Sequence, residues 1–405
     1  MEQKLKIWVQ KNAIVLAWSV IIILGVLIRF LFRKFLSGDA ETYLIPWYYE
    51  IKSGGGIKSL GEQVGNYNLI YQFFIALFTY IPANPLTMYK VFSCIFDVVL
   101  AVLTVIYTRN IWKIGTWKEY MAFTCVFLSP IVVFNSSLWG QCDSIYAGFC
   151  IATLYLLFRE RFWLAMISLG IAFSFKLQTI FILPFIIVYY ITNKKFSIKH
   201  IGGTILSIVV LAIPGCISGR SIIEVFTVYK IQVTEYSKKL FFNYPGFSNW
   251  FLDRNVTDEN TTYVKVLCIL MAIVVLGCIA VWVLHTNIEM TEYNFTYVAF
   301  LMTYASVLFM PEMHERYGYV YEILAILIAI YDIRTAFGCI ALQLCSIVTY
   351  SSYLFGYPYD SRILTGFNFG IYIMYFAYYV WKQQKNKNNV NEEREDEKGE
   401  YECSD

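Results

Sequence analysis

The chain has 405 residues, of which 58% are hydrophobic and 15% are charged. About a quarter of the residues of an ordinary soluble protein are charged, so this composition excludes that class, and the net charge of +3 adds little by itself. Apolar runs of roughly 16 to 23 residues recur as far as residue 381, and a helix needs about this length to cross a bilayer. The sequence therefore predicts an all-α, polytopic membrane protein.

The predicted membrane spans begin close to the N-terminus. The first apolar run, from Ala13 to Ile28, is interpreted as a retained anchor because no small-x-small cleavage site follows it and many further spans do. About twelve spans are predicted in all, some of them short or tilted. In chain order they cover residues 12–34, 86–108, 119–137, 145–158, 162–175, 177–192, 200–217, 263–284, 294–310, 318–331, 335–350 and 363–381.

The distribution of lysine and arginine predicts the orientation of these spans. Basic residues cluster in residues 1–11, 109–118, 159–161, 193–199, 332–334 and 382–387. The positive-inside rule places such connections on the cytoplasmic side. Residues 66–82 are apolar enough for a short span, but counting them would move five basic clusters outside. We therefore predict an outer juxtamembrane or re-entrant helix at 66–82, and both termini in the cytoplasm.

Three parts of the chain follow from this topology. Residues 1–381 are predicted to form one membrane-embedded domain. Its first outer loop, 39–85, carries the juxtamembrane helices, and a long outer loop at 218–262 suits recognition of an acceptor. The acidic and polar segment 382–405 is predicted to be a disordered cytoplasmic tail, because it holds too few apolar residues to form a core.

Polar residues gather in the connections that this topology places on the outer face, and one of them, Asp97, lies in the outer half of the second span. An ionisable group in or beside a span costs several kcal/mol unless it is paired or hydrated, so we expect these residues to line one pocket. Carboxylates suit acid or base chemistry, and lysine and arginine suit the binding of phosphate. The residues are Asp39 and Glu41, Asp97, then Trp139, Gln141 and Asp143, then Lys176 and Gln178, and finally His314, Glu315 and Arg316.

Simpler roles are open for several of these residues. Asp39 and Asp143 each suit the N-cap of a helix, and Lys176 could merely anchor a turn. Arg29 and Arg33, at the outer end of the first span, either extend toward lipid headgroups or bind an anionic ligand. The sequence "MHERY" is not a zinc motif of the HExxH type, because its second histidine is absent.

Three motifs occur in order after an early aspartate: "NSSLWGQCDS", "FKLQTIFILPF" and "MHERYGYVY". Together they resemble the GT-C membrane glycosyltransferases, and most closely the bacterial relatives of the glycosylphosphatidylinositol mannosyltransferase II family. The resemblance extends from Asp39 to about Tyr321. It implies transfer of a sugar from a polyprenyl-phosphate-linked donor to an acceptor on the non-cytoplasmic side. Many relatives carry a doubly acidic motif in the first loop, where this chain has "GDAE", so Glu41 could share the role of Asp39.

The resemblance implies the roles of the two acids, and the chemistry of transfer suggests roles for the other candidate residues. The catalytic carboxylates are Asp39, as the base, and Asp143, as a second acidic position. Transfer in a single displacement inverts the anomeric centre. The donor phosphate is assigned to Lys176, Arg316 and Arg33, with Arg29 in reserve. Sugar or acceptor contacts are assigned to Trp139, Gln141, Gln178, His314 and Glu315, and Glu41 and Asp97 are further candidates.

The expected partners follow from the same resemblance. The donor would be an undecaprenyl phosphate hexose, with mannose one candidate sugar, and the acceptor a cell-surface glycan, a lipid or a protein; no nucleic acid is expected. A divalent ion such as Mg2+ or Mn2+ could bridge Asp39 and Asp143, or the two could work without one. A bacterial plasma membrane is predicted, with the endoplasmic reticulum as the alternative location.

Two other functions compete with transfer. A flippase or transporter of lipid-linked oligosaccharides is also polytopic, but transporters place ionisable residues near the middle of the membrane, whereas most here lie at the outer boundary. A surface-polysaccharide polymerase shares the number of spans and an outer-face site. The ordered set of three motifs favours the glycosyltransferase over both.

Overall fold

The computed structural model describes residues 1–113, 115–235, 243–251 and 258–402. The structure is 82% helix, and the described residues contain no strand. Within them, extended backbone pairs at a single isolated antiparallel bridge between Asn243 and His314. The prediction of an all-α protein is confirmed. Two parts of the predicted long outer loop, residues 236–242 and 252–257, lie outside the described residues.

Sixteen α-helices are found in the described part of the chain. They are α1 Glu2–Phe32, α2 Ile45–Ser53, α3 Leu69–Phe78, α4 Pro85–Ile111, α5 Thr116–Phe127, α6 Pro130–Val133, α7 Asp143–Phe158, α8 Phe162–Phe175, α9 Leu183–Thr192, α10 Ile201–Ile217, α11 Ile222–Glu235, α12 Asp258–His285, α13 Glu292–Phe309, α14 Tyr319–Tyr331, α15 Ala336–Phe355 and α16 Ser361–Glu402. Two π-helical segments, Ala40–Leu44 and Phe134–Trp139, and a 3₁₀ segment, Leu177–Ile182, lie between them.

A helix occupies each of the predicted spans, but fewer of them are long enough to cross a membrane alone. Six helices of the described chain have the length and composition for this, and a seventh candidate is the pair Thr116–Phe127 and Pro130–Trp139, bent by 42°. Shorter apolar helices of 10–17 residues make up most of the remainder. A membrane protein is therefore confirmed, whereas the number of about twelve crossings stays a prediction.

The segment predicted to lie along the outer face has a short helix. Helix α3 has 10 residues, which at a rise of about 1.5 Å per residue is roughly 15 Å, half of what a bilayer core requires. This length fits a juxtamembrane or re-entrant helix. The side of the membrane on which it lies stays a prediction.

The centre of the bundle is formed by α13 and α14. Every residue of α13 from Tyr293 to Phe309 is buried, and α14 is buried along almost its whole length. A helix that is buried all round belongs inside a bundle. The anchor α1 is the opposite case, because only 11% of its most apolar stretch is buried, so it lies at the edge of the bundle.

The C-terminal helix continues beyond its predicted end at residue 381. Lys382 Nζ donates to Asp332 Oδ2 at 2.8 Å, and Gln383 Nε2 donates to Asn294 Oδ1 at 2.6 Å. These contacts attach the first residues of the predicted tail to the helical bundle. The helix extends to Glu402, and the disordered cytoplasmic tail at 382–405 stays a prediction.

Candidate functional site

Asp39 lies in the connection between α1 and α2, at the start of the first π-helical segment. Its side chain makes no capping hydrogen bond to that segment, so the N-cap interpretation does not apply. Instead Oδ2 accepts hydrogen bonds from Trp139 Nε1 and Gln141 Nε2, both at 2.8 Å. Oδ1 accepts one from the hydroxyl of Tyr353. The carboxylate is thus half-buried and held by three donors from two distant parts of the chain.

Asp143 is the first residue of α7 and is 2% exposed. Lys176 Nζ donates to its Oδ1, while Asn135 Nδ2 donates to its Oδ2 at 2.5 Å. The Asp143 backbone N–H donates back to Asn135 Oδ1 at 3.2 Å. Arg316 Nη1 lies 3.7 Å from Asp143 Oδ2. One buried carboxylate therefore holds two cations, and Lys176, which is 4% exposed, is not a surface anchor for a turn.

Gln141 joins the two carboxylates into one network. Its Nε2 donates to Asp39, and its Oε1 accepts from Arg316 Nη1 at 2.9 Å and from the hydroxyl of Tyr67 at 2.6 Å. The turn that presents Gln141 contains Gly140 at φ +86°, a conformation that is readily available to glycine alone. In the motif W-G-Q-x-D, the Trp139 indole and the Gln141 amide thus donate hydrogen bonds to Asp39. The Asp143 carboxylate of the same motif pairs with Lys176 and Arg316.

The loop between α13 and α14 carries an unusual acid beside Arg316. Glu315 is 2% exposed, and its Oε2 has no hydrogen-bond partner. Burial raises the pKa of the Glu315 carboxyl to about 8, although the neighbouring Arg316 acts in the opposite direction. Arg316 Nε is also buried without a partner. These two atoms give the site one neutral acid and one N–H that a bound ligand could engage.

Several predicted residues do not join this network. Arg33 is exposed and folds back on its own helix, with its guanidinium 3.6 Å from the Phe30 ring centroid. Glu41 is exposed, and Gln178 is half-buried in the 3₁₀ segment. Asp97 and the reserve residue Arg29 pair with each other at 2.8 Å inside the bundle, so Asp97 does not line the pocket and Arg29 is not available for a headgroup.

Trp139 lies in the network, but its indole face is covered and is not exposed for the sugar or acceptor contact that the sequence predicts. It is 1% exposed, and the ring of Tyr353 stacks on it with centroids 4.6 Å apart and planes at 21°. A pyranose therefore cannot lie on this face while Tyr353 occupies it. The indole acts as a hydrogen-bond donor to Asp39 instead.

Three residues of the network, Tyr353, Tyr67 and Asn135, were not predicted from the sequence. Tyr353 and Tyr67 are two of 33 tyrosines, and nothing in their spacing distinguishes them from packing residues. Asn135 had a signal, because it opens the motif "NSSLWGQCDS" eight residues before Asp143. An amide at that spacing can close a loop on a carboxylate when the chain turns at an intervening glycine.

The carboxylates of the two catalytic candidates, Asp39 and Asp143, already accept hydrogen bonds from nitrogen and hydroxyl donors. Among the described residues, no three histidine, cysteine, aspartate or glutamate side chains form a group that could hold a metal ion. Both oxygens of Asp143 are engaged by Lys176 and Asn135. A divalent ion bridging Asp39 and Asp143 stays a prediction.

The Glu315→Gln variant is expected to gain stability over the wild type as the pH rises. The folded state raises the pKa of Glu315 from 4.5 to about 8, so between these values it holds a proton that the unfolded state has lost. Wild-type stability therefore falls with rising pH through this window, and glutamine removes that dependence. The gain in unfolding temperature should be on the order of 5 °C at pH 8 and absent near pH 4.

Thermal unfolding in one detergent across this pH range measures the effect. Glu41→Gln, which removes an exposed carboxylate, is the matched control and should show no such trend. A difference between Glu315→Gln and wild type that does not change with pH would show that Glu315 titrates normally.

Comparison with known proteins provides one match. A family model described as glycosyltransferase family 87 matches residues 66–311, which is more than half of the chain. The matched region contains Asn135, Gln141, Asp143 and Lys176, and it ends at residue 311, inside the loop between α13 and α14 and before Glu315 and Arg316. No curated protein matches the chain. The match supports the expectation of a membrane glycosyltransferase, whereas the likeness to the glycosylphosphatidylinositol mannosyltransferase II family stays a prediction.

Proposed function

Because the chain belongs to glycosyltransferase family 87, we propose that it transfers a hexose from a polyprenyl phosphate to an acceptor hydroxyl, with inversion at the anomeric carbon. Membership of this family, together with the apolar helices, identifies a membrane glycosyltransferase and favours transfer over the flippase. The observation that supports the finer proposal is the network that joins the carboxylate of Asp39 to the cations Lys176 and Arg316 through Gln141 and Asp143.

Asp39 is the proposed general base. An acceptor hydroxyl has a pKa far above neutrality, so a positioned carboxylate must take its proton as the oxygen attacks the anomeric carbon. The two donors on Oδ2 fix the orientation of the carboxylate, while Oδ1 is bonded to Tyr353. Tyr353 is 38% exposed, so the acceptor hydroxyl can approach from this side and replace the tyrosine hydroxyl on Oδ1.

Lys176 and Arg316 are proposed to bind the donor phosphate. As the acceptor oxygen bonds to the anomeric carbon, the bond from that carbon to the phosphate oxygen breaks and its electron pair stays on the phosphate. Preorganised cations stabilise charge that develops in this way. Two cations around the single carboxylate of Asp143 leave one net positive charge for the phosphate. Asp143 therefore holds the cations in place and is not itself required to move a proton.

The remaining contacts concern the sugar and the acceptor. The partnerless Oε2 of Glu315 and Nε of Arg316 can hydrogen-bond sugar hydroxyls or phosphate oxygens. We keep Gln178 and His314 as further candidates for sugar or acceptor contacts. We place the reaction on the outer face of a plasma membrane, with both termini in the cytoplasm and an undecaprenyl carrier. The acceptor would be a cell-surface glycan, a lipid or a protein.

A donor panel tests the proposed function. The purified full-length chain in lipid nanodiscs would be given radiolabelled undecaprenyl phosphate mannose or glucose, or the matching nucleotide sugars, together with a membrane glycolipid extract as acceptor. Label should move into the acceptor from a polyprenyl phosphate sugar. Transfer from nucleotide sugars alone would contradict the proposal, and label that stays on an intact donor lipid would favour a transporter.

A further inference from the structure

A buried ion pair joins the anchor helix to the rest of the bundle. Arg29 in α1 donates to Asp97 Oδ2 in α4 from Nε at 3.0 Å and from Nη2 at 2.8 Å. The two residues are 8% and 0% exposed. Nη2 also donates to the Phe127 carbonyl at 2.9 Å. A Cβ at Gly25 would lie 2.1 Å from the Phe127 ring, so this close approach of α1 requires glycine at that position.

Asp97 accepts two further hydrogen bonds, both from the region of the site. Ser136 Oγ donates to its Oδ2, and Ser144 Oγ donates to its Oδ1. These serines directly follow Asn135 and Asp143, the two residues that bond to each other in the site. Two sets of hydrogen bonds therefore hold the ends of the turn 135–144 together. One set joins Asn135 to Asp143, and the other joins the neighbouring Ser136 and Ser144 through Asp97.

We propose that Asp97, held by Arg29, is a positioning residue that fixes the turn 135–144 so that Asp143 meets Lys176 and Arg316 at the right geometry. This inference deepens the proposed function and rests on it. The supporting observation is that each serine bonded to Asp97 is the next residue in the chain after one member of the Asn135–Asp143 pair. A small rotation of either serine would move its neighbour with it.

Stability alone does not account for this arrangement. Taking two charges out of water costs about as much as their attraction returns, and well-packed apolar residues often replace a buried pair without loss. An ionisable pair inside a membrane bundle therefore points to a specific task. Asp97 offers four hydrogen-bond positions in one place, two for Arg29 and one for each serine, which no apolar residue could supply.

Two sets of variants separate positioning from folding. The first is Ser136→Ala with Ser144→Ala, which removes both bonds to Asp97 and leaves the ion pair intact. Ser137→Ala is the matched control, because Ser137 is also buried but donates to the Val133 carbonyl four residues earlier. The single hydroxyl proton of Ser136 goes to Asp97, although the Val132 carbonyl lies 3.0 Å from the same oxygen. The second set is Arg29→Met with Asp97→Leu, which replaces the ion pair by apolar side chains.

The main readout does not depend on activity. Cys142 lies inside the turn and is 1% exposed, so its alkylation by a small maleimide, followed by mass spectrometry, reports whether the turn is held closed. Alkylation of Cys142 should be on the order of 10-fold faster in both sets than in Ser137→Ala, at similar unfolding temperatures. The kcat for transfer should fall by about 10-fold to 100-fold, because small misplacements of catalytic groups have effects of this size.

The decisive comparison is between the serine pair and its control. Equal Cys142 rates in the Ser136→Ala/Ser144→Ala and Ser137→Ala proteins would overturn the inference, whether or not the Arg29→Met/Asp97→Leu protein folds. If the wild type transfers no sugar from any donor, the proposed function fails. The alkylation rates would still test separately whether Asp97 positions the turn.

Discussion

Replacing Asp39 with asparagine is expected to lower kcat for sugar transfer by about 10³-fold, the middle of the range for loss of a general base. Asparagine keeps the shape of the side chain and a carbonyl oxygen for Trp139 and Gln141, so the site should remain assembled. The cations proposed to bind the donor phosphate are unchanged. Donor KM should therefore stay within about threefold of the wild-type value, and initial rates over a range of donor concentrations measure both quantities.

Glu41→Gln is the control that distinguishes the two acids of "GDAE". Glu41 is exposed, whereas Asp39 is held by three donors, so Glu41→Gln should retain transfer within about twofold of wild type, as surface changes usually do. The reverse outcome, an active Asp39→Asn and an inactive Glu41→Gln, would move the base to Glu41.

Replacing Lys176 with methionine is expected to weaken both transfer and folding. Loss of one preorganised donor to the developing phosphate charge should lower kcat/KM for the donor by about 10²-fold to 10³-fold. The change also leaves Asp143 with Arg316 at 3.7 Å as its remaining cation. Breaking a buried pair in this way costs about 3–5 kcal/mol, which thermal unfolding in detergent would detect.

The double variant Lys176→Met/Asp143→Leu separates these two effects. Removing both charges takes away the uncompensated carboxylate, so much of the lost stability should return. Transfer should not return, because the cation proposed to bind the donor phosphate is still missing. Recovery of transfer together with stability would mean that Lys176 has only a structural role.

The convergence of the site could be predicted from the sequence because its parts are constrained by topology. Short connections between spans leave little freedom, so polar residues assigned to one side of the bundle must meet there. Asp39 and Gln141 are 102 residues apart, and Asp143 and Lys176 are 33 apart, yet each pair is in hydrogen-bond contact. Arg316, in the short connection between α13 and α14, reaches Gln141 for the same reason.

Other features depend on helix rotation, which charge patterns do not determine. Arg29 and Arg33 are one turn apart at the end of α1. Arg29 is buried against Asp97, whereas Arg33 packs on the Phe30 ring at the exposed surface of the helix. The apolar pattern located the helices but not which of them cross the membrane, because α7 and α8 have 16 and 14 residues. Tyr353 joined Asp39 without any signal, since its position follows from the rotation of α15.

The most direct measurement uses the wild-type chain and an undecaprenyl phosphate hexose of one defined anomer in lipid nanodiscs. It would quantify undecaprenyl phosphate released per sugar transferred and determine the anomeric configuration of the product by NMR. We expect release in equal amounts and an inverted anomeric centre. A retained configuration, or no transfer from any polyprenyl phosphate sugar, would contradict it.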